Sequence, residues 1–174
     1  MKISVFIGTS LDGFIARKND ALDFLPADGG EPHGYPEFIA TVDALVIGRK
    51  TFEVVLAFPE WPYGGKRVVV LSSKPLDFSK IRGGRVEQMS GSPTEIVARL
   101  EASGVKHVYL DGGVTIQRFL REGRVDRLIV TRVPVLIGEG ISLFGSLPRD
   151  IQLRHMSTQA YKSGLVQSEY EVIR

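Results

Sequence analysis

A chain of 174 residues, 43% apolar and 24% charged, has the length and make-up of one globular domain. Its 22 basic and 20 acidic side chains leave a net charge of only +2 and form no basic stripe, which argues against nucleic acid or a membrane surface as partner. The lack of cysteine removes disulfides, thiolate metal sites and a cysteine nucleophile, and His33, His107 and His155 have no ligand-like spacing, so no metal is expected.

In chain order, "ISVFIG" (3–8) is the first strand-like run: short, β-branched and bounded by turn formers. The opening "MKISVFIGTS" is too short to be a secretory apolar segment, and no run approaches the ~20 apolar residues of a membrane span, so a cytoplasmic protein is expected. Residues 17–34, rich in Gly, Pro and Asp, read as a long and therefore potentially functional loop. A helix is expected over 35–43, a buried strand over 44–48, and a helix over 49–58 that must end before Pro59. After a loop at 59–66, "RVVVLS" (67–72) is a strand, and 73–85 reads as loop.

The helix over 92–104 carries the strongest signals. Ser92 and Glu95 form a capping box, Pro93 suits the first turn, Ile96, Val97 and Leu100 share one face, and Gly104 ends it. A strand follows at 105–110 and a helix at 114–123. The run at 127–138 is a long strand in which Pro134, lacking an N–H, marks an edge, a bulge or the end. Residues 138–150 read as loop. The tail folds back as an antiparallel hairpin about Ser163 and Gly164, with Val166, Ser168, Tyr170 and Val172 on one face. Strands and helices thus alternate to about residue 125 and β structure dominates after it. This pattern predicts an α/β fold: a mainly parallel central sheet, helices on both faces and antiparallel strands at one edge.

Three strand-to-helix or strand-to-turn junctions suit an anionic ligand. At the first, a strand ends in Gly48 and a helix starts with Arg49, Lys50 and Thr51, adding two cations and a hydroxyl to a helix N-terminus. At the second, a strand emerges into Ser72, Ser73 and Lys74. At the third, Asp111 is followed by Gly112, Gly113, Val114 and Thr115, and two missing Cβ atoms let backbone and ligand approach closely. Taken singly, each also reads as a polar turn or a solvated helix start. The dinucleotide fingerprint G-x-G-x-x-G, the P-loop and the G-x-S-x-G elbow are all absent from the sequence.

With "SLDGFIA", "GRKTFE", "SSKP", "DGGV" and "PVLIGEGISLF" in this order, nearly the whole chain resembles the dihydrofolate-reductase-like superfamily. Within it, the chain is most similar to the reductase domain of the riboflavin-biosynthesis deaminase–reductase and its stand-alone relatives. The resemblance implies a three-layer sandwich around an eight-stranded, mostly parallel mixed sheet with a C-terminal antiparallel hairpin. It implies NADPH as cofactor, a small-molecule substrate with a pterin-like or ribosylamino-pyrimidine ring, and a homodimer. Carried over residue by residue, Gly48, Arg49, Lys50 and Thr51 would hold the phosphates, and Ser72, Ser73 and Lys74 the adenosine 2′-phosphate side. Gly112, Gly113, Val114 and Thr115 would lie along the pyrophosphate. Ile15 and Ala16 would pack near the nicotinamide, with Thr9 and Ser10 beside it. The proton donor is left open among Asp28, Glu31 and Glu37, while Asp12 and Asp111 are candidates for the substrate side; Asp12 also reads as a turn residue, and Asp111, which stands where that enzyme usually has Glu, also reads as a helix cap. A nucleotide-binding protein without reductase activity and a true dihydrofolate reductase are the alternatives.

Overall fold

The three-dimensional structure, a computed structural model, describes residues 1–27 and 30–174. Strands β1 (Lys2–Ser10), β3 (Ala44–Gly48), β4 (Arg67–Leu71), β5 (Arg85–Met89), β6 (His107–Asp111), β7 (Arg127–Val133), β9 (Leu153–Ala160) and β10 (Val166–Val172) form one sheet. Its order is β5-β4-β3-β6-β1-β7-β10-β9. The first six of these run parallel, and the last two pairings are antiparallel. A two-stranded antiparallel ribbon, β2 (Phe14–Ala16) with β8 (Ile141–Ser142), stands apart. The helices are α1 (Tyr35–Ala40), α2 (Arg49–Leu56), α3 (Pro93–Ala102) and α4 (Gly113–Arg121).

Strand alternation sends successive side chains to opposite faces, and each face finds its own helices. Ile3, Val5, Val46, Val108 and Leu110 pack against Ile96 and Leu100 of α3 and Ile116 and Phe119 of α4. Leu45, Ile47, Val68, Val70 and Tyr109 pack against Phe38 of α1 and Phe52 and Val55 of α2. Each such side chain, nearly all closed to solvent, contributes ~1.5–3 kcal/mol by leaving water. This is the dihydrofolate-reductase-like α/β sandwich expected from the resemblance.

Several expectations shift. β5 falls where loop and unassigned chain were expected, because "RVEQM" is short, half polar and lies at the sheet edge. β2 and β8 are too short to show a periodicity. Helix α1 stops at Ala40 rather than 43, where the Thr41 hydroxyl donates to the Phe38 carbonyl (2.7 Å). β7 ends at Val133, so Pro134 marks the end of the strand. All eight residues of the edge strand β9 are exposed.

Candidate functional site

The parallel strands β1, β3 and β6 all point their C-terminal ends at one cleft of about 510 Å3. One wall is built from the two helix starts, Gly48–Thr51 and Gly112–Thr115; Ile15, Ala16 and Ile141 of the small ribbon form a second. Phe6, Gly8, Tyr109 and Asp111 make the floor, and the loop bearing Asp20, Leu22 and Leu25 closes the far side. A groove of about 450 Å3, lined by Ser72, Ser73, Lys74, Ser90 and Gly91, adjoins it, and Arg49, Leu71 and Arg118 border both spaces.

The glycines of the two helix starts do more than clear room for a ligand. A Cβ on Gly48 would stand 2.6 Å from the Thr115 hydroxyl, and one on Gly112 would stand 2.5 Å from the Thr51 hydroxyl. Each helix start thus supplies the glycine that the other's threonine packs on, and the N-termini of α2 and α4 are locked side by side. Gly112 also sits at φ +97°, a conformation side chains disfavour. A Cβ on Gly113 would strike Ile15 and Ile141, so this glycine seats the ribbon.

Neither α2 nor α4 has a side chain capping its first turn. Thr115 is 6% exposed, yet among the described residues no partner hydrogen-bonds its hydroxyl or that of Thr51. Two parallel helix dipoles therefore present N–H groups, free hydroxyls and the cations Arg49, Lys50 and Arg118 to one space. Arg49 keeps one nitrogen on Glu53 (2.7 Å). Such a cradle suits a pyrophosphate, and the adjoining groove suits one further phosphate. In that groove the Ser72 hydroxyl is committed to its own turn, accepting from the Lys74 N–H (3.1 Å) and donating to the Lys74 carbonyl (2.7 Å). Ser73 and Lys74 are exposed. Arg118, whose Nη2 donates to the Gly91 carbonyl (3.1 Å), was missed by sequence reasoning. Its place one turn after Val114, on the helix face toward the cleft, was the available signal.

The acids separate clearly. Asp111 lines the cleft, with one carboxyl oxygen accepting from the Gly112 N–H (2.7 Å). Burial pushes its pKa up to about 6, and the Gly112 hydrogen bond only partly opposes this. Its charge and their own burial raise Tyr63, Tyr109 and Tyr35, the last to about 12, with burial the larger cause. Asp111 is not a cap of α4.

Asp12 lies away from the cleft, accepting from the N–H of Ile137 (3.3 Å) and Gly138 (2.8 Å) and binding one loop to another. The Ser10 hydroxyl, then these N–H groups, hold its carboxyl below its ordinary value, the wrong direction for a proton donor. Glu37 is exposed on α1 and does not line the cleft. Glu31 accepts from Ser163 Oγ (2.6 Å), which holds its pKa down. Thr9 and Ser10 are 2% and 0% exposed and lie behind the cleft wall, where Ser10 Oγ accepts from the Phe14 N–H (3.0 Å). Asp28 lies outside the described residues.

A family model, the RibD C-terminal domain, matches residues 1–167. The chain belongs to this family. Among relatives of this RibD-type domain, a crystal structure of a riboflavin-biosynthesis candidate from Shewanella sp. PV-4 is 37% identical, with full coverage of both chains and a TM-score of 0.89. The uncharacterised YwjB of Bacillus subtilis (strain 168) is 31% identical over 92% of each chain. A Thermotoga maritima diaminohydroxyphosphoribosylaminopyrimidine deaminase/5-amino-6-(5-phosphoribosylamino)uracil reductase shares the fold at 13% identity (TM-score 0.79, 99% of this chain, 56% of that one). So does an Enterococcus faecalis dihydrofolate reductase complexed with NADP(H), at 21% identity (TM-score 0.66, 99% and 97%). The RibD-type family supports a reductase-like role tied to riboflavin biosynthesis. No helix among the described residues is long and apolar enough to cross a membrane.

Proposed function

We propose that this protein is an NADPH-dependent reductase that delivers a hydride to a C=N or C=O bond of a pyrimidine- or pterin-like ring. The observation that carries the reading is the pair of interlocked, uncapped helix starts with free hydroxyls and three cations at their mouth. The dinucleotide, when bound, supplies the hydride from its nicotinamide.

Gly48–Thr51 and Gly112–Thr115 would hold its pyrophosphate, and Arg49, Ser73, Lys74 and Arg118 its 2′-phosphate. Ile15 and Ala16 would give the nicotinamide an apolar wall that keeps water from the transfer. Asp111 would donate the proton. Its raised pKa leaves part of the population protonated near neutrality, and its carboxyl faces the cleft. The presence of one such group favours a reductase over a protein that merely binds the nucleotide. We also propose that two copies associate: the exposed edge of β9, with Leu153 and Met156 open to solvent, suits pairing with a second chain. Light scattering should give twice the 19.2 kDa of one chain.

The cofactor assignment is tested with Arg49→Ala/Lys74→Ala. Each charge-assisted contact contributes ~1.5–3 kcal/mol, so the double variant should bind NADPH at least ~10-fold more weakly. NADH, lacking the extra phosphate, should be affected less. Titration calorimetry reads both constants, and an unchanged NADPH constant removes the two residues from the site.

A further inference from the structure

The cleft is chemically divided. All its cations, Arg49, Lys50 and Arg118, stand at the two helix starts. The other end, on the α1 side of the sheet, is lined by Phe6, Leu22, Leu25 and Tyr109, with Asp20 and Asp111 among them. Asp111 shares the face of Tyr109, two residues before it, so its carboxyl belongs to this end.

Among the described residues, the basic side chains beside this end already have partners: His33, whose ring stands 5.5 Å from that of Phe6, has its Nδ1 on the Glu31 carbonyl (2.9 Å). Arg17 and Lys18, on the loop that forms this wall, are paired with Asp23 (2.6 Å) and Glu139 (2.5 Å). The helix start on this side, that of α1, has Pro36 in its first turn, which has no N–H, and Glu37 beside it. The Phe38 N–H is used by the Gly34 carbonyl (2.9 Å). Asp28 and Gly29, outside the described residues, bring no cation to the loop.

A phosphate dianion in this end would lose its hydration, meet two carboxylates and gain no cation. We propose that the ring bound here carries no phosphate: the substrate class is a planar, uncharged nitrogen heterocycle with uncharged substituents. Aromatic and aliphatic side chains cover its faces, and Asp111 accepts from, or protonates, a ring nitrogen. The class rests on the reductase reading above and narrows it. It separates this chain from reductases whose pyrimidine carries a phosphoribosyl group.

The test uses the whole chain and a matched pair of ligands. NADP+ is titrated first and then kept saturating, so that no turnover occurs. 5-Amino-6-ribosylaminouracil and its 5-phosphate are then titrated separately. The unphosphorylated compound should bind at least ~10-fold more tightly, the scale of one charge-pair effect. In Leu22→Lys, a rim position already 37% exposed, the 5-phosphate should gain at least ~10-fold relative to its partner. Equal or tighter binding of the 5-phosphate by the unaltered chain, binding of neither compound, or an unmoved ratio in Leu22→Lys overturns the proposal while leaving the cofactor reading standing. Failure of NADP+ to bind is a different result and overturns the reductase reading together with this one.

Discussion

Helix α3 and the pair α2/α4 begin in opposite ways. α3 seals its own start: the Ser92 hydroxyl accepts from the Glu95 N–H (3.2 Å), and the Glu95 carboxylate accepts from the Ser92 N–H (2.8 Å). α2 and α4 leave theirs open, lodge each other's threonines against their glycines and keep the hydroxyls free. An unsealed start forgoes a stabilisation of ~1 kcal/mol per helix. Two such starts side by side leave hydrogen-bonding capacity open at the cleft, which is what the proposed dinucleotide site requires.

The comparison breaks most severely at Asp111, the residue just before the open start of α4. As the proton donor, its replacement by Asn should lower turnover ~100-fold or more, read as NADPH oxidation. In the unaltered enzyme kcat/KM should fall as pH rises through about 6, because the donor is the protonated form. Stability falls in the same direction. The folded chain holds this proton more tightly than an ordinary carboxyl of pKa 3.8, so stability is progressively lost as pH climbs from there through about 6. A shift of about 2 pH units corresponds to ~3 kcal/mol. Asp111→Asn should therefore raise the thermal midpoint at pH 8 and leave it unchanged at pH 3. A variant equally stable at both values and still active would deny Asp111 both roles.

Next in size is the interlock itself. Gly112→Ala places a Cβ against the Thr51 hydroxyl and strains a positive φ, costing ~2–3 kcal/mol of stability. Adding Thr51→Ala removes the clash but not the strain. Denaturation should show a partial recovery in the double variant, and an absence of any recovery would show that the two helix starts do not lean on each other.

The sequence disclosed one partner of each contact more readily than the contact. Capping boxes, strand runs and the junctions at Gly48, Ser72 and Asp111 are local, and each was legible from residues within one turn of each other. The Gly48–Thr115 and Gly112–Thr51 packing joins positions more than sixty residues apart, and only the parallel pairing of β3 with β6 brings them together. For the same reason the glycines suggested room for a ligand, when their first task is to let one helix start approach another. Asp12 looked like a site residue because its motif is distinctive, but the structure spends its carboxylate on the loop at Ile137 and Gly138. β5 escaped notice because an edge strand needs only one buried side, and "RVEQM" offers too few apolar residues to reveal it. Choosing among the acids required burial, which no spacing conveys.

The smallest effects sharpen the comparison best, since they exchange nearly the same group in the two regions. Ser92→Ala removes a hydroxyl that α3 uses, so it should cost ~1 kcal/mol of stability and leave the NADPH constant unchanged. Thr115→Val removes a cleft-lining hydroxyl that nothing in the described chain uses, at nearly constant shape. It should leave the unliganded midpoint nearly unchanged, because the hydroxyl faces the cleft and serves no contact in the fold, and should weaken NADPH ~5–10-fold, the scale of one neutral hydrogen bond. Thermal denaturation and calorimetric titration of both variants give four numbers. The two losses should fall on opposite measurements. If Thr115→Val costs stability without costing affinity, its hydroxyl serves the fold, and the open helix starts lose their distinction from α3.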